Sequence, residues 1–246
     1  MLLILPPHHE EDTQITKLAI TADCLGWSIH RSPISWRVPQ ELLGQDGAVY
    51  GKPYFCQVIA QQMDWELLAN PTDWLTGLQE EFVRRTITIS TLENARLLKE
   101  KRFVKPAEED RFFKATVYDD GSKLPASRMF DDAPVLVSGT IPYVTEWRCF
   151  VKDRAVVSAS CYRINKETNQ SYMWHWDVEE PVKFVNKMLL DESVVCASGA
   201  SIDVGKSKKG FLSIIESSPA WCSELYGCEL VGTLASIKAS CIKRER

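Results

Sequence analysis

Apolar and polar positions alternate with two different periods along this chain, and the switches between them outline its elements. Leu2, Leu3, Ile4 and Leu5 form an unbroken apolar run, the pattern of a buried strand, stopped by Pro6-Pro7. From Glu11 to Leu25 the residues Ile15, Leu18, Ala19 and Ala22 fall at helical spacing, with Gly26 just past the end. Trp27–His30 and Ala48–Tyr50 read as short strands, and Pro53–Met63 as a second helix. Strand, helix, strand, helix predicts a small α/β lobe with a parallel sheet. Asn70-Pro71-Thr72-Asp73 opens a helical stretch through Trp74, Leu75 and Leu78. Thr86–Ile89 is β-rich, and a helix from Thr91 to about Lys99 leads onward.

After Arg102 strands dominate. Phe103-Val104-Lys105-Pro106 is a strand ending in a lysine, and Phe112–Tyr118 a second strand carrying Lys114, followed by the turn Asp119-Asp120-Gly121. Val135–Val137 is an apolar run that ends at Ser138-Gly139. From Glu146 to Val151 the residues alternate: Trp147, Cys149 and Val151 face one way, Glu146, Arg148 and Phe150 the other. Lys152-Asp153-Arg154 is a tight turn, and Ala155–Val157 returns as the next strand. Lys183–Leu190 is an amphipathic helix with Phe184, Met188 and Leu189 on its apolar side. Ala200–Val204 is a strand holding Asp203, and Phe211–Glu216 a strand ending in an acid. The expected fold class is α/β, α+β in the second half, with a lobe over 1–98 and a core over 99–246.

Composition narrows the partners. Of 246 residues, 45% are hydrophobic and 25% charged, which excludes wholesale disorder. A net charge of -4 gives no general attraction to a polyanion, so no nucleic acid is expected. Lys206, Lys208 and Lys209, and the tail Lys243-Arg244-Glu245-Arg246, read as a solvated loop and terminus. The apolar start is too short for a signal segment, and no run reaches the roughly 20 residues of a membrane span. Eight cysteines include no CxxC pair, so no zinc framework follows, and reduced thiols in a cytoplasmic protein are expected.

Among the histidines, His8 and His9 fall in a loop and His30 at a strand end, while His175 between Trp174 and Trp176 reads as a packing residue. The dinucleotide motif GxGxxG, the nucleophile elbow GxSxG and the nucleotidyl-transfer signature KxDG are all missing.

Five charged residues stand in or beside apolar strands: Lys105, Lys114, Arg148, Asp203 and Glu216. Each has an ordinary reading. A strand-end lysine can snorkel, an acid can cap or pair, and Glu146 with Arg148 can belong to a cross-strand salt bridge on a solvated face. The other reading is that this face lines a ligand site. Three cations and two anions are the complement of a metal nucleotide, with cations on phosphate oxygens and carboxylates on Mg²⁺.

In order and spacing, residues from about Arg102 to Gly227 resemble the ATP-grasp superfamily, in particular the clade named for one arginine and two lysines. The motifs are FVKP with Lys105, FFKATVY with Lys114, VLVSGTIPYVTEWRCFV with Glu146 and Arg148, SIDVG with Asp203, and IIESSPAWCSELYG with Glu216. Less specifically, the first 98 residues look like the lobe that precedes an ATP-grasp core. The resemblance implies an ADP-forming ligase that joins a carboxylate to an amine through an acyl-phosphate, using ATP and Mg²⁺. Lys105 and Lys114 would contact phosphates, and Val137, Ser138, Gly139 and Thr140 would form the hinge at the adenine, with Glu146 nearby. Arg148 would face the γ-phosphate. Asp203 and Glu216 would carry the metal, and Ser218 stands where the superfamily commonly has an asparagine.

The substrates would be a small-molecule or peptide carboxylate and an amine, with Ser207-Lys208-Lys209-Gly210 and Trp221–Gly227 as candidate substrate-side segments. The N-terminal lobe could support a homodimer. Two further readings stay open: an ATP-binding regulatory or scaffold protein without ligase activity, and an ATP-grasp small-molecule kinase.

Overall fold

The structure, a computed structural model, describes residues 1–7, 13–107, 112–165, 167–168 and 177–244. His8, His9, His175 with its flanking tryptophans, and the Glu245-Arg246 tail lie outside the described residues.

The N-terminal lobe follows from its pattern. β1 (Leu2–Leu5) is wholly buried and becomes the centre of a three-stranded parallel sheet. α1 (Thr13–Cys24) carries the chain over to β2 (Ser28–Arg31), as a parallel pair requires, and β3 (Gly47–Val49) adds on the other side. α2 (Pro53–Met63) starts on a proline, which suits a first-turn position, and ends on Asp64 in the left-handed region. β4 (Trp65–Leu67) follows.

The next elements are α3 (Glu80–Val83), β5 (Ile87–Thr91), α4 (Leu92–Ala95), β6 (Arg102–Pro106), β7 (Thr116–Tyr118) and β8 (Pro134–Ser138). Their strands form a sheet in the order β5-β8-β6-β7. Alternation sorts its faces: Val104, Val135 and Val137 enter a small core with Leu92 and Leu124, while Leu136 packs towards the larger core.

A second sheet is built from β9 (Tyr143–Lys152), β10 (Ala155–Ile164), β11 (Glu167–Thr168), β12 (Gly199–Ser207) and β13 (Leu212–Pro219), in the order β11-β10-β9-β12-β13. α5 (Glu179–Leu189) covers it. Trp147, Cys149 and Val151 enter its core with Val185 and Met188, and Phe150 faces the opposite core, as the alternation predicts.

Two expected elements are shorter than predicted. The strand expected over Phe112–Tyr118 begins only at Thr116, because Phe112 stacks on Phe130 at 4.6 Å and Phe113 packs on the small core. Lys114 therefore lies in the segment leading into β7. The helix expected to reach Lys99 ends at Ala95, and the Leu98 carbonyl accepts from the Gly121 N–H instead.

One helix was not visible as a pattern. α6 (Leu230–Ala239) leads to β14 (Cys241–Lys243), which pairs with β4. Leu234, Ile237 and Cys241 share one core with Leu3, Leu18 and Ile59, so distant parts of the chain complete the N-terminal lobe together.

Candidate active site

A cleft of about 500 Å³ opens between the two larger sheets. Phe103 on β6, Ser138 at the end of β8, and Gly139 and Thr140 after it line one side; Glu146, Arg163 and Ile215 line the other. Lys114 is exposed and also lines it. Val137 does not: its side chain enters the small core. The 138–143 connection is pinned from below by Arg85, whose guanidinium donates to the carbonyls of Ile214 at 2.7 Å and Ile215 at 3.0 Å and to the Tyr143 hydroxyl at 3.3 Å. Burial lowers the Arg85 pKa, and Tyr143 opposes that fall.

Next to the lining residues Glu146 and Ile215, three charged residues stand in one row. Register pairs Arg148 on β9 with Asp203 on β12, and Asp203 with Glu216 on β13, so all three project from one face. Arg148 makes a two-pronged contact: Nε donates to Asp203 Oδ1 and Nη2 to Oδ2, both at 2.8 Å. Its Nη1 donates to the Glu224 carbonyl at 2.9 Å, and its guanidinium lies 4.6 Å from the centre of the Tyr226 ring, which stacks on Tyr162. Burial disfavours the Arg148 charge, but the Asp203 carboxylate and its hydrogen bonds outweigh it, and the pKa ends above the ordinary value. Burial pushes the Asp203 carboxyl up against the pull of Arg148.

Glu146 stands beside this row. Its Oε2 accepts from the Tyr162 hydroxyl at 2.8 Å and its Oε1 from Arg163 at 3.0 Å. Burial raises its pKa, with the Tyr162 hydrogen bond opposing. The Tyr162 oxygen is also 3.3 Å from Asp203 Oδ2, so one hydroxyl bridges the cleft wall and the buried pair.

Lys105 reaches across from the other sheet. Its Nζ is 2.8 Å from Glu216 Oε2, with side chains 10% and 19% exposed. Lys105, Arg148, Asp203 and Glu216 thus converge; Lys114 stays at the cleft wall, and Ser218, opposite Ser201 in register, opens towards a second, smaller cleft.

Asp203, Glu216 and Ser218 are oxygen donors, the chemistry Mg²⁺ requires. Asp203 already gives both oxygens to Arg148, and among the described residues no three acidic, histidine or cysteine side chains converge as a metal cage. The set suits an ion that arrives with phosphate oxygens, not a cage of protein ligands alone.

Sequence reasoning missed Arg85, Tyr143, Tyr162 and Arg163, and reached Tyr226 only as part of the Trp221–Gly227 segment. Arg85 follows Arg84 just before a β-rich stretch, which is the only local signal; the two tyrosines around Arg148 carry none. Of the candidate substrate-side segments, Ser207–Gly210 is the β12–β13 turn, and Trp221–Gly227 supplies the Glu224 carbonyl and the Tyr226 ring to Arg148. Among the described residues no helix is long and apolar enough to cross a membrane.

Two sheets facing each other across a cleft, with Lys105, Arg148, Asp203 and Glu216 converging beside it, are the arrangement of the ATP-grasp class. Over residues 82–234 the chain matches an ATP-grasp domain, the second family of the clade named for one arginine and two lysines, and it belongs to that family. No curated protein matches it in sequence. Solved structures share the fold at low identity. A RimK domain ATP-grasp protein from Sphaerobacter thermophilus aligns at TM-score 0.55 and 11% identity, covering 97% of this chain and 96% of that one. The D-cycloserine synthetase DcsG aligns at 0.54 and 13%, covering 97% and 98%. A RiPP-associated ATP-grasp ligase from Chryseobacterium gregarium, solved with ADP and a leader and core peptide, aligns at 0.51 and 14%, covering 96% and 95%.

Proposed function

We propose that this protein is an ATP- and Mg²⁺-dependent carboxylate–amine ligase that works through an acyl-phosphate. The observation that carries the reading is the convergence of Lys105, Arg148, Asp203 and Glu216 beside the cleft. Adenine would lie against Phe103 and the 138–140 backbone, with Lys114 beside it.

A substrate carboxylate oxygen attacks the γ-phosphorus, the bond from that phosphorus to the β,γ-bridging oxygen breaks, and ADP leaves with the oxygen. The amine nitrogen then attacks the acyl carbon, inorganic phosphate departs with the C–O electron pair, and the nitrogen's proton passes to it. No enzyme nucleophile is needed, so the protein's task is to position the reactants and neutralise charge. Lys105 and Arg148 are the cations suited to the transferring group. Mg²⁺, when bound with ATP, would screen the phosphate charges, with Asp203, Glu216 and Ser218 as its candidate oxygen donors. The peptide-bound and small-molecule synthetase relatives of the same fold support a carboxylate of either kind. Reduced, mostly buried thiols support a cytoplasmic setting.

Calorimetry with MgATP on the wild type and on Lys105→Met tests the reading. Binding that the substitution weakens is expected, followed by ADP release with a carboxylate and an amine. A folded sample that does not bind millimolar MgATP overturns it. A second reading, nucleotide binding without ligation, is favoured by Arg148, three of whose five N–H groups are engaged by Asp203 and the Glu224 carbonyl. Binding without ADP release across a broad carboxylate and amine panel would support that alternative.

A further inference from the structure

The second cleft, of about 250 Å³, opens beyond the Lys105–Glu216 pair. Phe103 and Lys105 are two apart on β6 and share a face; Phe103 lines the first cleft and Lys105 the second. Lys105 is the only charged side chain among the described residues that line the second cleft. An ammonium has three donors, so contact with Glu216 leaves capacity for another anion.

The rest of the lining is neutral. The Trp74 indole N–H donates to the Val195 carbonyl at 2.6 Å, and that of Trp221 to the Leu68 carbonyl at 2.9 Å. Both rings therefore offer the cleft carbon surface and no donor. Asn70 is part of the frame: Nδ2 donates to Ser217 Oγ and Oδ1 accepts from the Ala197 N–H, both at 2.8 Å. The Gln57 amide and the Thr72 and Ser218 hydroxyls add neutral polar groups, and Gln57 and Thr72 are exposed at the rim.

Resting on the ligase reading above, we propose that this cleft is the carboxylate subsite, and that it takes a compact monocarboxylate with a neutral, flat or apolar body. One ammonium matches one carboxylate. A second anionic group would meet indole faces, hydroxyls and the Gln57 amide, with no second cation among the described lining residues, and burying an unpaired charge is unfavourable. The volume lies below the roughly 300–1,000 Å³ of pockets for drug-sized ligands, which suits a body the size of one amino acid. A carboxylate held on Lys105 is at the boundary between the clefts, where the phosphate end of a nucleotide in the first cleft would meet it.

Phenylacetate is a suitable probe and citrate its polyanionic counterpart. The full chain is loaded with Mg²⁺ and a hydrolysis-resistant ATP analogue, and each probe is titrated while tryptophan emission is followed. Trp74→Phe assigns the signal. Phenylacetate is expected to bind at least about tenfold more tightly than citrate. Thr72→Glu, which adds an anion at the rim, is expected to weaken phenylacetate by about tenfold or more and to leave the affinity for the analogue unchanged. The subsite assignment is overturned if the analogue binds and phenylacetate does not, if citrate binds as well as phenylacetate, or if Thr72→Glu leaves phenylacetate binding intact. Failure of the analogue itself to bind overturns the ligase reading, which separates the two failures.

Discussion

Lys105 on β6 and Glu216 on β13 form an ion pair at 2.8 Å that ties one sheet to the other beside the cleft. Among the described residues the two sheets share no strand ladder, so this pair and the Arg85 hydrogen bonds to the Ile214 and Ile215 carbonyls join them through side chains. Lys105→Met should lower stability by about 1–3 kcal/mol, because it removes a charge-assisted bond and leaves the half-buried carboxylate without its ammonium. Lys105→Met with Glu216→Leu should recover much of that stability in urea titrations and none of the nucleotide affinity.

Arg148 and Asp203 are more deeply sealed, with side chains 7% and 4% exposed. Asp203→Ala strands a buried guanidinium and should cost about 3–5 kcal/mol. The urea midpoint should fall accordingly, and an unchanged midpoint would mean that Arg148 finds another acceptor without penalty.

Glu146 gives a pH signature. Burial raises its pKa, so the folded protein holds the proton more tightly than the unfolded chain. Its contribution is therefore full below the ordinary glutamate value of about 4.3 and is lost as pH rises through the raised folded value. Wild type should lose stability relative to Glu146→Gln as pH climbs through that window. Unfolding free energies of both proteins at several pH values measure it, and a difference independent of pH would contradict it.

Gly205 on β12 lies against the Tyr143 ring, and a Cβ there would overlap it. Tyr143 lines the nucleotide cleft and bonds Ser213 at 2.7 Å. Gly205→Ala should displace the ring, cost about 1–3 kcal/mol, and weaken nucleotide affinity. Thermal melts and calorimetry on the same variant check both effects.

Thiol labelling reads the packing directly. Cys24 is exposed, Cys196 and Cys222 are half-buried, and Cys56, Cys149, Cys161, Cys228 and Cys241 are buried. Burial pushes Cys161, Cys228 and Cys241 up to about 11. Near pH 8, a disulfide reagent should therefore modify Cys24 fast and the buried five only on unfolding. Rapid reaction at Cys228 in the folded protein would count against this packing.

Much of the site was legible because its charged members interrupt apolar strands, where a charge needs a partner. Lys105, Arg148, Asp203 and Glu216 were all identified this way, and the family pattern supplied their order. What the pattern could not supply was which strands are neighbours. Arg148 meets Asp203 because β9 pairs with β12, a register set by contacts far apart in sequence. Tyr162 was invisible for the same reason: it matters through Arg148 and Glu146, not through its own surroundings in the chain. α6 was missed because it is apolar on several sides, with Thr233 and Ser236 buried among its aliphatic residues and Ser236 Oγ donating to the Val151 carbonyl at 2.6 Å. A helix enclosed in this way has no polar face to mark its period.

The junction of β4 with β14 has a kinetic consequence. Leu67 pairs with Cys241, and the core around Leu3 and Ile59 is completed by Leu234 and Ile237. During synthesis, strands made early must wait for residues made late before their shared interior can close. Such long loops are slow to close, so the lobe at the start of the chain should be among the later parts to consolidate. A nascent chain lacking residues 230–243 should hold β1 in a loosely packed, protease-sensitive state.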